Sequence, residues 1–163
     1  MKRSVLLYIC AAAAILIVAA VIVVNVCFKP QLVIESAGTG KLLAAYPLPD
    51  DKSFAVSFTH SVNKSIVYDS YEVRDNGDIY ITETWYYSFG AGVQSALTPG
   101  ETLEYGEDGS MRVTNINKRI DDLVYSVSSV SDHVLMIGGG DISLCDTFGD
   151  NITLRFYVKN GGK

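Results

Sequence analysis

Basic residues, histidine and cysteine are all in short supply in this sequence. The 163 residues hold 13 Lys and Arg against 18 Asp and Glu, a net charge of −5. A phosphate backbone calls for a basic face, so this balance excludes nucleic-acid binding as the main task. The two histidines, His60 and His133, lack the cysteine or carboxylate spacing of a zinc site. There is no Gly-x-Gly-x-x-Gly, no lysine following a P-loop pattern and no hydrolase motif, so nucleotide chemistry has no support. What is present is apolar: 48% of the chain, too much for a disordered protein and consistent with one domain at this length.

The apolar residues are concentrated at the start. After Lys2 and Arg3, no charged residue occurs from Val5 to Phe28, and Asn25 is the one strongly polar group in that run. As a helix it would reach ~36 Å, enough to cross a hydrocarbon core of ~30 Å. The preceding positive charges predict a cytoplasmic N-terminus. The competing reading is a cleaved signal peptide. Such a peptide carries an apolar stretch of only ~7–15 residues and small residues at the cut, whereas Val24-Asn25-Val26-Cys27 offers no small-x-small pattern. Val26 is also too bulky for a lipobox before Cys27. The expectation is therefore a stub and transmembrane signal-anchor over 1–28, with an extracytoplasmic domain over 29–163. That domain has 11 basic and 18 acidic residues, near −7, and a single cysteine, Cys145. With no intramolecular disulfide available, it must rely on its core.

Beyond the anchor the two-residue period of strands dominates. Phe54-Ala55-Val56-Ser57-Phe58-Thr59 alternates large apolar with small or polar side chains. Ile79 to Tyr87 is rich in β-branched and aromatic residues, and Asn76-Gly77 before it favours a tight hairpin turn, so Ser65–Tyr87 reads as strand, turn, strand. Further strands are expected at Gln31–Glu35, Leu42–Tyr46, Thr102–Tyr105, Met111–Ile116, Leu123–Val130, His133–Ile137 and Ile152–Val158, with one helical turn possible at Lys118–Leu123. About nine or ten short strands separated by Gly- and Asp-rich turns predict an all-β fold, a compact sandwich or partly closed barrel.

A site is suggested by polar residues in apolar phase. If Phe54, Val56 and Phe58 face inward, the period carries His60 to the same face. In the next hairpin Ile79, Ile81, Trp85 and Tyr87 share a face on strict alternation, with Glu83 in phase between them. A carboxylate there is costly unless paired or protonated, and an imidazole is its natural partner. His60 and Glu83 are thus expected to be buried or half-buried and to meet across the sheet. Two readings stand. The pair pins strand register as satisfied polar groups, or it lines a cleft with Thr59, Ser61 and Tyr87, rimmed by Gly90 and Gly92. Ser61 beside His60 is no nucleophile–base pair, since neighbours in a strand point to opposite faces. Asp141, Asp146, Asp150 and Asn151 could surround calcium, but turn propensity accounts for them. No catalytic residue, metal or cofactor is assigned.

The run Phe58-Thr59-His60-Ser61-Val62-Asn63-Lys64-Ser65-Ile66-Val67 resembles a signature of a family of small bacterial proteins, domain of unknown function 1850. In that family a Thr-His-Ser-Val run precedes a short polar loop and a strand bearing an acid, for which Asp69 or Glu72 would answer here. Thr84 to Gly92 resembles the family's second motif, a strand ending in a Ser-Tyr-Gly-Ala-Gly-like turn, with Phe89 where Tyr is common. The resemblance runs from about Ser53 to Val158. It implies a small anchored extracytoplasmic protein, often encoded beside TRAP-type permeases whose binding protein is of the TAXI group. The function expected on that basis is a membrane-anchored binding or docking module, an accessory of a solute transporter that contacts a permease or a solute-binding protein. Two rivals remain: an extracytoplasmic hydrolase using His60 and Glu83, and a structural subunit that meets a permease through its anchor, where Asn25 could hydrogen-bond another helix.

Overall fold

A computed structural model describes residues 8–9, 11–19, 29–61, 64–87 and 97–160. The expected anchor, with Cys10, Asn25 and Cys27, falls largely outside these, as do Val62, Asn63 and the turn holding Phe89, Gly90 and Gly92. Residues 8–9 and 11–19 are helical and exposed. Among the described residues no helix is long and apolar enough to cross a membrane.

The strands run in chain order as β1 (Gln31–Ser36), β2 (Leu42–Pro47), β3 (Ser53–Thr59), β4 (Ile66–Val73), β5 (Ile79–Tyr86) and β6 (Thr102–Tyr105). They continue as β7 (Met111–Thr114), β8 (Lys118–Ile120), β9 (Leu123–Val127), β10 (Val134–Ile137), β11 (Gly140–Ser143) and, after a short helix α1 (Leu144–Phe148), β12 (Ile152–Lys159). They form two antiparallel sheets packed as a sandwich, and neither closes into a barrel. The smaller has the order β2-β1-β12-β9. The larger has the order β11-β10-β3-β4-β5-β7-β6, with β8 paired to the first half of β5.

Alternation explains the packing. Leu32 and Ile34 of β1, Leu123 and Val127 of β9, and Leu154 and Phe156 of β12 point from the small sheet at Phe54, Val56, Tyr71, Val73 and Leu135 of the large one. A second cluster, Val67, Tyr86, Met111, Val113 and Ile116, contains no residue of the small sheet. The larger sheet therefore extends past the smaller one, and its inner face there needs other cover.

The β4–β5 turn forms as expected. Gly77 N–H donates to the Arg74 carbonyl, Asp78 N–H donates to Asn76 Oδ1, and Gly77 takes a φ of 89°. The expected helical turn at Lys118–Leu123 is instead β8 followed by a turn into β9. There Lys118, Arg119 and Ile120 pair with Ile81, Tyr80 and Ile79 of β5, and this pairing supplies backbone partners that the short charged segment could not find within itself.

The most consequential irregularity lies in β5. Ser70 pairs with Glu83 but Tyr71 pairs with Ile81, leaving Thr82 as an extra residue, a β-bulge. On the other side of β5 the chain answers with a kink. Asn115 takes a φ of 58°, and Ile116 N–H donates to the Thr82 carbonyl between the β7 and β8 pairings. One extra residue exchanges the faces of everything beyond it. Ile79 and Ile81 point inward before the bulge, and Thr84 and Tyr86 point inward after it.

Candidate functional site

The bulge separates the two residues that strict alternation would bring together. Glu83 lies on the outer face with Trp85. It accepts from the Trp85 indole N–H and from Arg112 Nη2 at 2.7 Å, and Arg112 lies 5.1 Å from the centre of the Trp85 ring. Glu83 and His60 therefore do not meet, and the face shared by Ile79, Ile81, Trp85 and Tyr87 does not exist. Trp85 is 39% exposed, while its neighbour Tyr86 is buried.

The phase of His60 is as expected. It follows Phe58 on the inner face, and its N–H donates to the Ser65 carbonyl at 2.8 Å. Both side chains line an open cleft of about 1210 Å³ in the part of the larger sheet that the smaller sheet does not reach. Its apolar walls are Phe58, Val67, Ile81, Tyr86, Ile116 and Ile120, and its mouth is built by segments 98–101 and 115–119. Thr59 is part of β3 and donates its N–H to the Ser131 carbonyl. Ser61 is an exposed turn residue. Tyr87 is exposed and donates to Asp108 Oδ2 at 3.2 Å. None of the three lines the cleft.

The acid on the inner face is Asp69. It stands in a row across the larger sheet, Leu135–Val56–Asp69–Thr84–Val113, in which Leu135, Val56 and Val113 are all 0% exposed. Thr84, directly opposite, donates its hydroxyl to Asp69 Oδ1 at 2.6 Å. From the other sheet, Tyr125 of β9 donates to Oδ2 at 3.3 Å, and Tyr71 lies 2.6 Å from the Tyr125 oxygen. With Tyr125 donating to the carboxylate, Tyr71 donates to Tyr125, and the chain of hydroxyls runs one way. No cationic side chain bonds Asp69 among the described residues. Burial pushes its carboxyl above the ordinary value, against the lowering effect of its Thr84 and Tyr125 bonds. Burial likewise raises both tyrosines, with the neighbouring Asp69 charge adding to it.

His133, expected at a strand start, is the one buried polar or charged side chain among the described residues, at 5% exposed. Its ring stacks on Phe58 at 5.2 Å and meets Tyr125 edge-on at 5.4 Å, while its Nδ1 has no hydrogen-bond partner among the described residues. Burial holds its pKa below the ordinary value. The sequence already contained a signal for Asp69, since Val67, Asp69, Tyr71 and Val73 alternate. His133 and Tyr125 carried none, because their roles come from contacts across the sandwich.

Fold and site together define an all-β sandwich domain with a carboxylate-floored cleft beyond the edge of its smaller sheet. The chain belongs to the DUF1850 family, a domain of unknown function, whose family model matches residues 54–144, more than half of the chain. His60, Asp69, Thr84, Tyr125 and His133 all fall inside that stretch, whereas β1, β2 and β12 lie outside it. No curated protein and no solved structure matches the chain.

Proposed function

We propose that this protein is a membrane-anchored extracytoplasmic binding module that serves a TRAP-type solute transporter as an accessory, with the cleft at His60 and Asp69 as its binding site. The cleft carries this reading. Its size is of the order of small-molecule sites, ~300–1,000 Å³, and it combines apolar walls with a few convergent polar groups. The uncharged run from Val5 to Phe28 is long enough for an anchor, and the 29–163 domain sits beyond it. Partners of the matching kind are a membrane permease or an extracytoplasmic solute-binding protein. A hydrolase reading would need residues other than a His60–Glu83 pair, since Glu83 bonds Arg112 and Trp85 on the other face.

The test is affinity capture of the full chain from its native membrane in mild detergent, with His60→Ala in parallel. Recovery of a permease or its binding protein with wild type, weakened at least tenfold by His60→Ala, is the expected result. Equal recovery with both would move the contact away from the cleft. Recovery of neither transporter component would overturn the accessory role.

A further inference from the structure

Asp69 gives the cleft a charge preference. A carboxylate in a row that is apolar but for Thr84 loses hydration, and opposite charge is the usual compensation. Here compensation is partial: one hydroxyl on each oxygen and no cation among the described side chains. Each carboxylate oxygen keeps further acceptor capacity. The nearby cations do not supply the missing charge. Arg119 at the mouth is held by Asp121 at 2.5 Å and Asp78 at 3.2 Å, and Lys118 is exposed at the rim. Glu101 adds a second carboxylate to the lining, its Oε2 accepting from the Thr98 N–H. An anionic ligand would therefore bring a third negative group into a site that already has two. The Phe58 and Tyr86 rings and the side chains of Val67, Ile81, Ile116 and Ile120 form a surface for an apolar body, and aromatic faces attract cations.

Resting on the binding reading above, we infer that the cleft takes an organic cation: an ammonium group seated at Asp69, carried on an apolar or aromatic body that packs against Phe58, Tyr86 and Ile116. Thr84 and Tyr125 act as positioning residues that fix the carboxylate as an acceptor facing the cleft. A bound ammonium supplies the donor and the positive charge that the described side chains do not bring to Asp69.

The experiment uses the full chain in mild detergent, with methyl resonances of Val67, Ile81 and Ile116 as reporters. The probes are 2-phenylethylamine, its neutral analogue 2-phenylethanol and the anionic 3-phenylpropanoate. The expected result is that the amine shifts these resonances with at least tenfold tighter binding than either analogue. Asp69→Asn should remove that preference, and Glu72→Gln, an acid on the same strand but the outer face, should keep it. Thr84→Val should weaken amine binding and serves as a second variant if Asp69→Asn does not fold. If the alcohol or the carboxylate binds as well as the amine, the cation assignment is overturned while the cleft remains a binding site. If no probe shifts the three residues up to its solubility limit, the cation assignment and the binding reading fall together.

Discussion

Asp69 and Glu83 are acids on adjacent strands, one rung apart in the same sheet, and their surroundings are opposite. Glu83 faces outward, with side-chain exposure of 19% against 43% for its partner Arg112, and it also accepts from the Trp85 indole. Asp69 faces inward between Thr84 and the fully buried Val56, is held among the described residues by hydroxyls alone, and opens onto a cleft. The first arrangement pairs the acid with a cation and an indole donor. The second keeps a carboxylate in a costly place with no counter-ion among the described residues, and a cost of that kind points to use. One extra residue, Thr82, separates the two environments.

The largest way to break this comparison is to delete Thr82. Restoring strict alternation would force either Ile79 and Ile81 or Thr84 and Tyr86 to the outer face. Exposing the buried Ile79 alone would cost roughly 1.5–3 kcal/mol, and the half-buried Ile81 would add to it. Chemical denaturation should show a protein that is unfolded or close to it. Next comes Tyr125→Phe, which removes the link between the sheets and strips a donor from Asp69 and an acceptor from Tyr71. A loss of about 1–3 kcal/mol is expected in urea titrations at neutral pH. Smallest is Glu83→Gln, where a part-exposed pair with Arg112 should contribute no more than about 1 kcal/mol once solvent screening is counted. A larger loss for Glu83→Gln than for Tyr125→Phe would reverse the ranking of the two faces.

The inward-facing Asp69 and the buried His133 sharpen the comparison through pH. For Asp69 the folded-state value lies above the unfolded one, so the folded protein binds the extra proton between them. Stability from this group is greatest below about pH 4 and falls as pH rises through the folded value. His133 has its folded value lowered, so the unfolded chain binds the extra proton. Stability is present above about pH 6.5 and is lost as pH falls through the folded value. Thermal melts of wild type, Asp69→Asn and His133→Phe across pH 4–8 separate the two. Asp69→Asn should remove the decline with rising pH, and His133→Phe should remove the decline toward acid.

Much of this architecture was legible in the sequence because strand phase is a local property. The expected strands at Thr102–Tyr105 and Leu42–Tyr46 match β6 and β2 to within a residue, and the Asn76-Gly77 turn sits where its chemistry demands. β8 and β11 were not legible. Lys118-Arg119-Ile120 and Gly140-Asp141-Ile142-Ser143 are too short to show a period, and they exist because neighbours offer them hydrogen bonds. His60 keeps the phase of Phe58 because β3 has no irregularity. Glu83 was misplaced because nothing in Ile81-Thr82-Glu83 marks a bulge; no glycine interrupts the run. Of the two acids that the family resemblance offered for one role, Asp69 faces inward and Glu72 outward. Val67, Asp69, Tyr71 and Val73 point inward while Glu72 contacts Arg74.

The most direct test of the central claim is the titration of the Asp69 carboxyl by carbon NMR in the full chain, assigned with Asp69→Asn. The account predicts a midpoint above 3.8, the ordinary value for the side chain, moving downward when 2-phenylethylamine is added. A midpoint at or below that value without ligand would contradict it, because Asp69 would then be a solvated or already paired acid rather than an uncompensated carboxylate on the floor of a cleft.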